Sequence, residues 1–207
     1  MKKFLVLLAV LWAAVLPLRR AQAADAIADP AVAAIEAWLN DVHTMKARFT
    51  QMAPAGEVTR GTFYLRRPGR LRFEYDPPIR DFIVADGHFV YYWNDSLQQQ
   101  SNAPIGATIA DFLLRDRLDF GGDILVKDVL REPGKVHLSL IQAKEPDQGT
   151  LTLVFEEKPL KLLRWEVVDA LGQMTQVFLD DIQMGVTLDQ GLFYFISPAR
   201  NPQELNH

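Results

Sequence analysis

The 207-residue sequence contains no cysteine, so the protein forms no disulfide bond, uses no thiolate and has no N-terminal cysteine that could be lipidated. Histidine is also scarce, and no histidine has a second histidine at the spacing of one helix face to complete a metal site. The sequence therefore predicts no metal site. We expect solvated strand or loop positions for His43, His88, His137 and His207.

Motifs of nucleophilic catalysis and nucleotide binding are missing as well. There is no nucleophile elbow or dinucleotide fingerprint, and Gly121-Gly122 lacks the downstream glycine and lysine of a phosphate loop. The adjacent carboxylates Glu156-Glu157 and Asp180-Asp181 fall on predicted strands, where neighbouring side chains point to opposite faces and cannot share a site by themselves. A carboxylate pair could still be assembled from distant strands, but no feature of the sequence indicates one. These absences predict a protein that is not an enzyme and needs no cofactor.

The first residues have the three parts of a secretory signal peptide. Lys2-Lys3 precedes an apolar stretch, 4–16, and Ala21-Gln22-Ala23 supplies the small residues that signal peptidase requires. The stretch is shorter than the roughly 20 residues that span a bilayer, which disfavours the alternative of a retained membrane anchor. We expect removal of 1–23, so that 24–207, which is 184 of the 207 residues, folds as one domain.

The predicted mature chain is acidic. The signal peptide holds four of the 22 basic residues and none of the 26 acidic ones, so its removal changes the formal net charge from −4 to −8. Such a charge disfavours nucleic acid and anionic lipid surfaces as partners. Because the mature chain has no membrane span, no cysteine and no long heptad pattern, we also expect a soluble monomer.

One amphipathic helix is predicted at the start of the mature domain. Asp29 suits the N-cap and Pro30 the first helical position. Apolar residues then recur at helical spacing, with Trp38 beside them: Val32, Ile35, Leu39 and Val42.

From Met45 the apolar residues alternate with polar ones, which is the pattern of half-buried strands. The first strand is followed by two predicted hairpins, one turning at Pro68-Gly69 and one at Asp86-Gly87. Many short strands with few helices predict a single antiparallel sheet that curls toward a barrel. The later strand candidates are Ile124–Leu130, Val136–Ile141, Thr150–Phe155, Leu162–Val168, Met174–Asp181 and Leu192–Ile196.

A second helix is predicted between the strands, from Thr108 to Leu118. Thr108 and Asp111 stand at the spacing of a capping box, and Gly121-Gly122 is expected to end the helix. Its apolar side consists of Ile109, Phe112, Leu113 and Leu114.

Arg67 is in phase with Phe63 and Leu65, on the apolar face of its strand. A guanidinium there needs hydrogen-bond acceptors, because an unpaired charge away from water costs several kcal/mol. The alternative is that Arg67, beside Pro68 at the strand end, extends to water. The alternating aromatics Phe89, Tyr91 and Trp93 are either ordinary core or the wall of a ligand cavity.

Several local motifs, in order, resemble the LolA family of periplasmic carriers, which move lipoproteins from the inner to the outer membrane of Gram-negative bacteria. They extend over nearly all of the mature chain. They are Ala47-Arg48-Phe49-Thr50-Gln51, Gly61 through Arg67-Pro68, Phe73-Glu74-Tyr75 with Pro77, Ile83-Val84-Ala85-Asp86-Gly87, Val90-Tyr91-Tyr92-Trp93-Asn94, Val168-Asp169 with Gly172-Gln173 and Thr175, and Leu192-Phe193-Tyr194-Phe195 with Pro198.

The resemblance implies a mainly β fold: an incomplete, half-open antiparallel β-barrel with a helical lid over a hydrophobic cavity that takes up lipoprotein acyl chains. It implies that Arg67 hydrogen-bonds the lid when the cavity is empty. The implied partners are an inner-membrane ABC lipoprotein exporter and an outer-membrane lipoprotein receptor. The residues expected to line the cavity and the lid are Arg67, Phe63, Leu65, Phe73, Phe89, Tyr91, Trp93, Ile109, Phe112 and Leu113.

Two other functions compete with that of a lipoprotein carrier. A protein of this fold could carry or sense another lipid, such as a glycolipid or an isoprenoid, and an exported enzyme without a cofactor could use the cavity as a reaction chamber. Native mass spectrometry would separate the three functions, because a protein with a bound lipopeptide, one with a bound free lipid and one with an empty cavity differ in mass.

Overall fold

The computed structural model describes residues 29–198, and within this range eleven strands form one antiparallel sheet. The predicted signal peptide lies outside the described residues. The sheet has the spatial order β6-β5-β4-β3-β2-β1-β11-β10-β9-β8-β7, so β6 and β7 are its two edges. The strands are β1 Thr44–Met52, β2 Val58–Arg66, β3 Arg70–Tyr75, β4 Phe82–Asp86, β5 Phe89–Asn94, β6 Gln99–Pro104, β7 Ile124–Glu132, β8 Lys135–Gln142, β9 Gly149–Glu157, β10 Leu160–Asp169 and β11 Met174–Met184.

Helix α1, Pro30–Asp41, begins as predicted: the Asp29 carboxylate accepts a hydrogen bond of 2.8 Å from the Ala31 amide. Its apolar stripe packs on one face of the sheet, where Trp38 meets the edge of Phe155 with ring centroids 5.1 Å apart. Arg131 of β7 forms ion pairs with Asp29, at 2.6 Å, and with Glu157. The start of α1 is therefore fastened to the β7–β9 side of the sheet.

The sheet is strongly curled, and three aromatic residues demonstrate it. Trp165 on β10 is three strands away from Phe63 on β2, or about 14 Å along a flat sheet. Yet the two ring centroids lie 5.4 Å apart, and Trp165 is also 6.2 Å from Phe73 on β3. The inner faces of distant strands therefore meet around one core, as the predicted half-open barrel requires.

The second helix is much shorter than predicted. Only Asp111–Leu114, α2, is α-helical, and a 3₁₀ turn, Ile105–Ala107, precedes it. The expected capping box does not form, because the Thr108 hydroxyl donates to the Ile105 carbonyl and the Asp111 carboxylate binds Arg115 instead. The rest of the predicted helix is an irregular segment that connects β6 to β7.

The candidate strand Leu192–Ile196 is not a strand; the chain there forms a 3₁₀ turn, Gln190–Phe193, and then an extended segment. The alternation of apolar and polar residues in this segment arises because it packs on the outer face of the sheet, and not because it pairs with a strand. The Phe193 ring lies 5.0 Å from the Arg66 guanidinium, and Phe195 stacks on Tyr91 with centroids 4.7 Å apart.

The structure confirms the predicted fold class, a mainly β protein with one open antiparallel sheet and few helices. In the part of the chain that the structure describes, no helix has both the length and the apolar character needed to cross a membrane.

Candidate ligand-binding site

Arg67 follows the last residue of β2 and reaches both helical segments that cover the inner face of the sheet. Its Nε donates to the carbonyl oxygen of Leu113 in α2 at 2.8 Å, and its Nη1 donates to the carbonyl oxygen of Leu39 in α1. Its own amide donates to the His43 carbonyl at 2.8 Å. One guanidinium therefore joins the barrel wall to α1 and to the 105–123 connection, which together are called the lid below.

The Arg67 side chain is buried and does not extend to solvent, because only 8% of its surface is exposed. Burial lowers the pKa of Arg67 to about 10, while the charge of Asp116 acts in the opposite direction. The guanidinium is thus charged at neutral pH, and its two carbonyl acceptors compensate part of the cost of its burial. Among the described residues, only Arg67, Asp111 and His137 are buried side chains that can carry charge.

The two parts of the lid are also bound to each other. The Asn40 side chain donates to the Leu118 carbonyl at 3.0 Å and accepts from the Leu118 amide at 2.8 Å. The Glu36 carboxylate accepts from the Phe120 amide at 3.3 Å. A further bond, from the Gly69 amide to the Leu114 carbonyl at 2.8 Å, fixes α2 to the β2–β3 turn. Backbone groups of an irregular segment are in this way satisfied without a long helix.

Six of the residues expected at the site lie together on the inner face. Phe63, Leu65 and Phe73 are buried in the core that spans the sheet. Phe112 is buried in the same core, and Ile109 and Leu113 pack against it from the lid. The lid side chains fill the concave side of the sheet.

The three aromatic residues of β5 are on the other face, so the expectation that they line the interior was wrong. Val90 packs against the inner core, and alternation therefore puts Phe89, Tyr91 and Trp93 outside. Tyr91 stacks on Phe195 of the C-terminal segment. Trp93 is only 1% exposed, and its buried position belongs to this second, outer apolar layer.

Sequence reasoning did not select several residues that the structure puts in the interior. Phe49 meets Phe73 and Tyr75 edge to face, with centroids 5.1 and 5.4 Å apart, and Trp165 packs on Phe63. The phase of β1 was visible in the sequence, since it is apolar at alternate positions. Strand β10 has apolar residues in both phases and a register shift between Leu162 and Arg164, which hides its inward side. The curl that brings β10 opposite β2 was not visible in the sequence either.

One histidine prediction was wrong. His43 and His88 are exposed as expected, and His207 lies outside the described residues. His137, however, is buried on the outer face of β8, with 9% of its surface exposed. Its Nε2 lies 3.4 Å from the Glu132 carboxylate. Within 29–198, no three histidine, aspartate or glutamate side chains are grouped closely enough to hold a metal ion.

The model of the family described as "Outer membrane lipoprotein carrier protein LolA" matches residues 40–196. Three relatives are named outer-membrane lipoprotein carrier protein. The one from Methylococcus capsulatus is 28% identical over 80% of this chain and 83% of its own. The one from Legionella pneumophila is 30% identical over 79% of this chain and 84% of its own. The one from Methylibium petroleiphilum is 30% identical over 86% of this chain and 90% of its own. This chain belongs to the LolA family.

Proposed function

We propose that this protein is a periplasmic carrier that binds the acyl chains of lipoproteins released from the inner membrane and delivers them to the outer membrane. The observation that carries the proposal is the pair of hydrogen bonds from buried Arg67 to Leu39 and Leu113. These bonds close a lid over an apolar interior, and the relatives named as lipoprotein carriers support the nature of the cargo.

An acyl anchor needs an apolar host to cross water. Each methylene group removed from water contributes about 0.8 kcal/mol, so a di- or triacylated lipoprotein does not move bare through an aqueous compartment. The inner face of the sheet offers Phe63, Leu65 and Phe73, but lid side chains such as Phe112 occupy the space above them. Loading therefore requires the lid to open and the acyl chains to replace its apolar contacts.

A carrier must also release its cargo. Opening the lid separates Arg67 from both carbonyl acceptors, so the closed, empty state holds a stabilisation that the loaded state lacks. This difference lowers the affinity for cargo and drives release when an acceptor is present. The role of Arg67 is to keep the carrier's affinity for cargo above that of the protein that donates the cargo and below that of the one that accepts it.

We propose an inner-membrane ABC lipoprotein exporter as the donor and an outer-membrane lipoprotein receptor as the acceptor. The mature chain has a formal charge of −8 if residues 1–23 are removed, and complementary charge accelerates association. A basic loop on the exporter would fit this surface. The proposed role requires no catalytic step and no cofactor.

Native mass spectrometry of the protein purified from its own periplasm tests the proposal. We expect adducts with the masses of lipopeptides or lipoproteins, which disappear when the acyl chains are removed enzymatically. A bound glycolipid or isoprenoid would instead support the carrier of another lipid. A protein that is always empty, and that fails to take up a synthetic triacylated lipopeptide, would contradict both.

A further inference from the structure

The two edges of the sheet differ in how they are protected. Strand β7 has a bulge between Val126 and Asp128, and it carries several charges: Lys127, Asp128, Arg131 and Glu132. Bulges, charges and prolines are features that keep an edge strand from pairing with another chain. Strand β6 reads Gln-Gln-Ser-Asn-Ala-Pro, without a charge or a register shift, and its first four residues are exposed. Its one proline, Pro104, is the last residue of the strand and leaves the rest of the edge open.

The orientation of the β6 backbone follows from one hydrogen bond. The Ile105 amide donates to the His88 carbonyl at 3.0 Å, continuing the register in which Pro104 faces Phe89. In an antiparallel ladder the paired amides alternate along the strand. The backbone N–H and C=O groups of Ala103 and Ser101 therefore point toward β5. The same groups of Asn102 and Gln100 point away from the sheet. Pro104, which has no N–H to offer, occupies the outward phase.

This open edge leads directly into the lid. Pro104 is followed by the 3₁₀ turn Ile105–Ala107 and then by α2, which contains the Leu113 carbonyl bound by Arg67. An anchor that enters under the lid from this side would leave its attached peptide beside β6. That peptide must remain outside the apolar interior, because its backbone groups need hydrogen-bond partners.

We propose that β6 is a docking edge for the extended peptide that follows the lipid anchor of the cargo, which adds to the sheet as a twelfth strand. This inference rests on the proposed function. Backbone pairing does not depend on the peptide's sequence, which suits a carrier of many lipoproteins. The uncharged glutamine, serine and asparagine side chains of β6 exclude neither acidic nor basic cargo.

Amide hydrogen exchange followed by NMR tests the proposal on the full mature protein. One sample is loaded with a synthetic triacylated lipopeptide of about ten residues, and another with the same triacylated cysteine without the peptide. We expect the amides of Gln100 and Asn102 to exchange about tenfold more slowly with the lipopeptide than with the lipidated cysteine. Amides of β7 should not differ between the two samples.

A pair of variants at one position gives a second test. Asn102→Pro removes an outward N–H group without breaking the bonds between β5 and β6, and Asn102→Ala keeps the N–H group but removes the side chain. We expect the proline variant to bind the lipopeptide roughly three- to tenfold more weakly than the alanine variant. Both variants should bind the lipidated cysteine equally well.

Each outcome has a definite meaning. If the lipopeptide binds but Gln100 and Asn102 remain unprotected, or if the two variants bind it equally, the docking edge is refuted while the proposed function stands. If the amides become protected at high protein concentration without lipopeptide, the edge pairs with a second copy of the chain and the proposal is also refuted. If neither lipid binds, the proposed function fails, and this inference fails with it.

Discussion

Asn40 and Leu118, which are 78 positions apart in the chain, form a closed pair of hydrogen bonds in which one side-chain amide satisfies both backbone groups of the other residue. Asn40 is the penultimate residue of α1, and Leu118 belongs to the 105–123 connection, so this pair joins the two parts of the lid. These bonds hold the two parts of the lid together as one unit.

The first prediction concerns this pair. Asn40→Ala leaves the amide and the carbonyl of Leu118 without their partner, which we expect to lower the free energy of unfolding by about 1–3 kcal/mol. Asn40→Asp keeps the acceptor but loses the donor, and should be intermediate. Urea denaturation of the three proteins gives the order. A loss below about 0.5 kcal/mol for the alanine variant would mean that water replaces Asn40 easily and that the pair does not hold the lid together.

The second prediction concerns the packing of the interior at Gly61 in β2. A Cβ atom there would lie 2.0 Å from the Glu74 carbonyl oxygen and 2.6 Å from the Phe49 ring. We expect Gly61→Ala to destabilise the fold by at least about 2 kcal/mol, because neither backbone nor buried ring can move aside cheaply. Gly106→Ala is the matched control, since no atom lies within 4 Å of its Cβ position. Equal thermal midpoints for the two variants would show that the interior repacks freely.

The third prediction concerns Tyr75, an inward residue of β3 whose hydroxyl donates to the Gln51 side-chain oxygen at 3.1 Å. Burial raises the pKa of Tyr75 to about 12 from its ordinary value of 10. Because the folded state favours the neutral phenol, this stabilisation is complete below pH 10 and is lost as the pH rises through 12. We expect wild type to lose on the order of 2 kcal/mol more than Tyr75→Phe over that interval.

Urea unfolding at several pH values, together with the absorbance of phenolate, measures this effect. Tyr194→Phe is the matched control at an exposed position and should follow wild type. Parallel stability curves for wild type and Tyr75→Phe would mean that the Tyr75 hydroxyl is as solvated in the folded protein as in the unfolded one.

Most strands were predictable because one face of each packs on the core and the other meets solvent, which imposes a period of two. The same period gave the inward phase of Arg67, and the helical spacing of apolar residues gave α1. The period of two failed as a guide where a strand is not half-buried, and where a half-buried segment is not a strand. Strand β6 is exposed on both faces and so has no apolar period, whereas Leu192–Ile196 has the period because it packs on the outside of the sheet without pairing.

The site was only partly predictable for a related reason. Strand β5 has apolar residues on both faces, so its phase alone could not tell whether Tyr91 or Val90 points inward. The irregular lid segment depends on distant partners, since Asn40 and Glu36 satisfy backbone groups that a regular helix would have paired internally. Such contacts between remote parts of the chain leave no local pattern in the sequence.

The final prediction concerns Arg67. Replacement by leucine removes the bonds to Leu39 and Leu113 and adds apolar surface to the interior, which favours the loaded state over the empty one. Arg67→Leu should therefore accept cargo but release it poorly. Lysine cannot reproduce the planar set of donors, so Arg67→Lys should retain only part of the release.

The most direct test is the transfer of a fluorescently labelled lipoprotein from preloaded carrier to acceptor membranes or receptor, with loading assayed separately. We expect loading of Arg67→Leu close to that of wild type and transfer slower by at least about tenfold, with Arg67→Lys between the two. If Arg67→Leu is folded and both loads and transfers its lipoprotein at the wild-type rate, the hydrogen bonds of Arg67 do not control the lid, and the proposed release mechanism is contradicted.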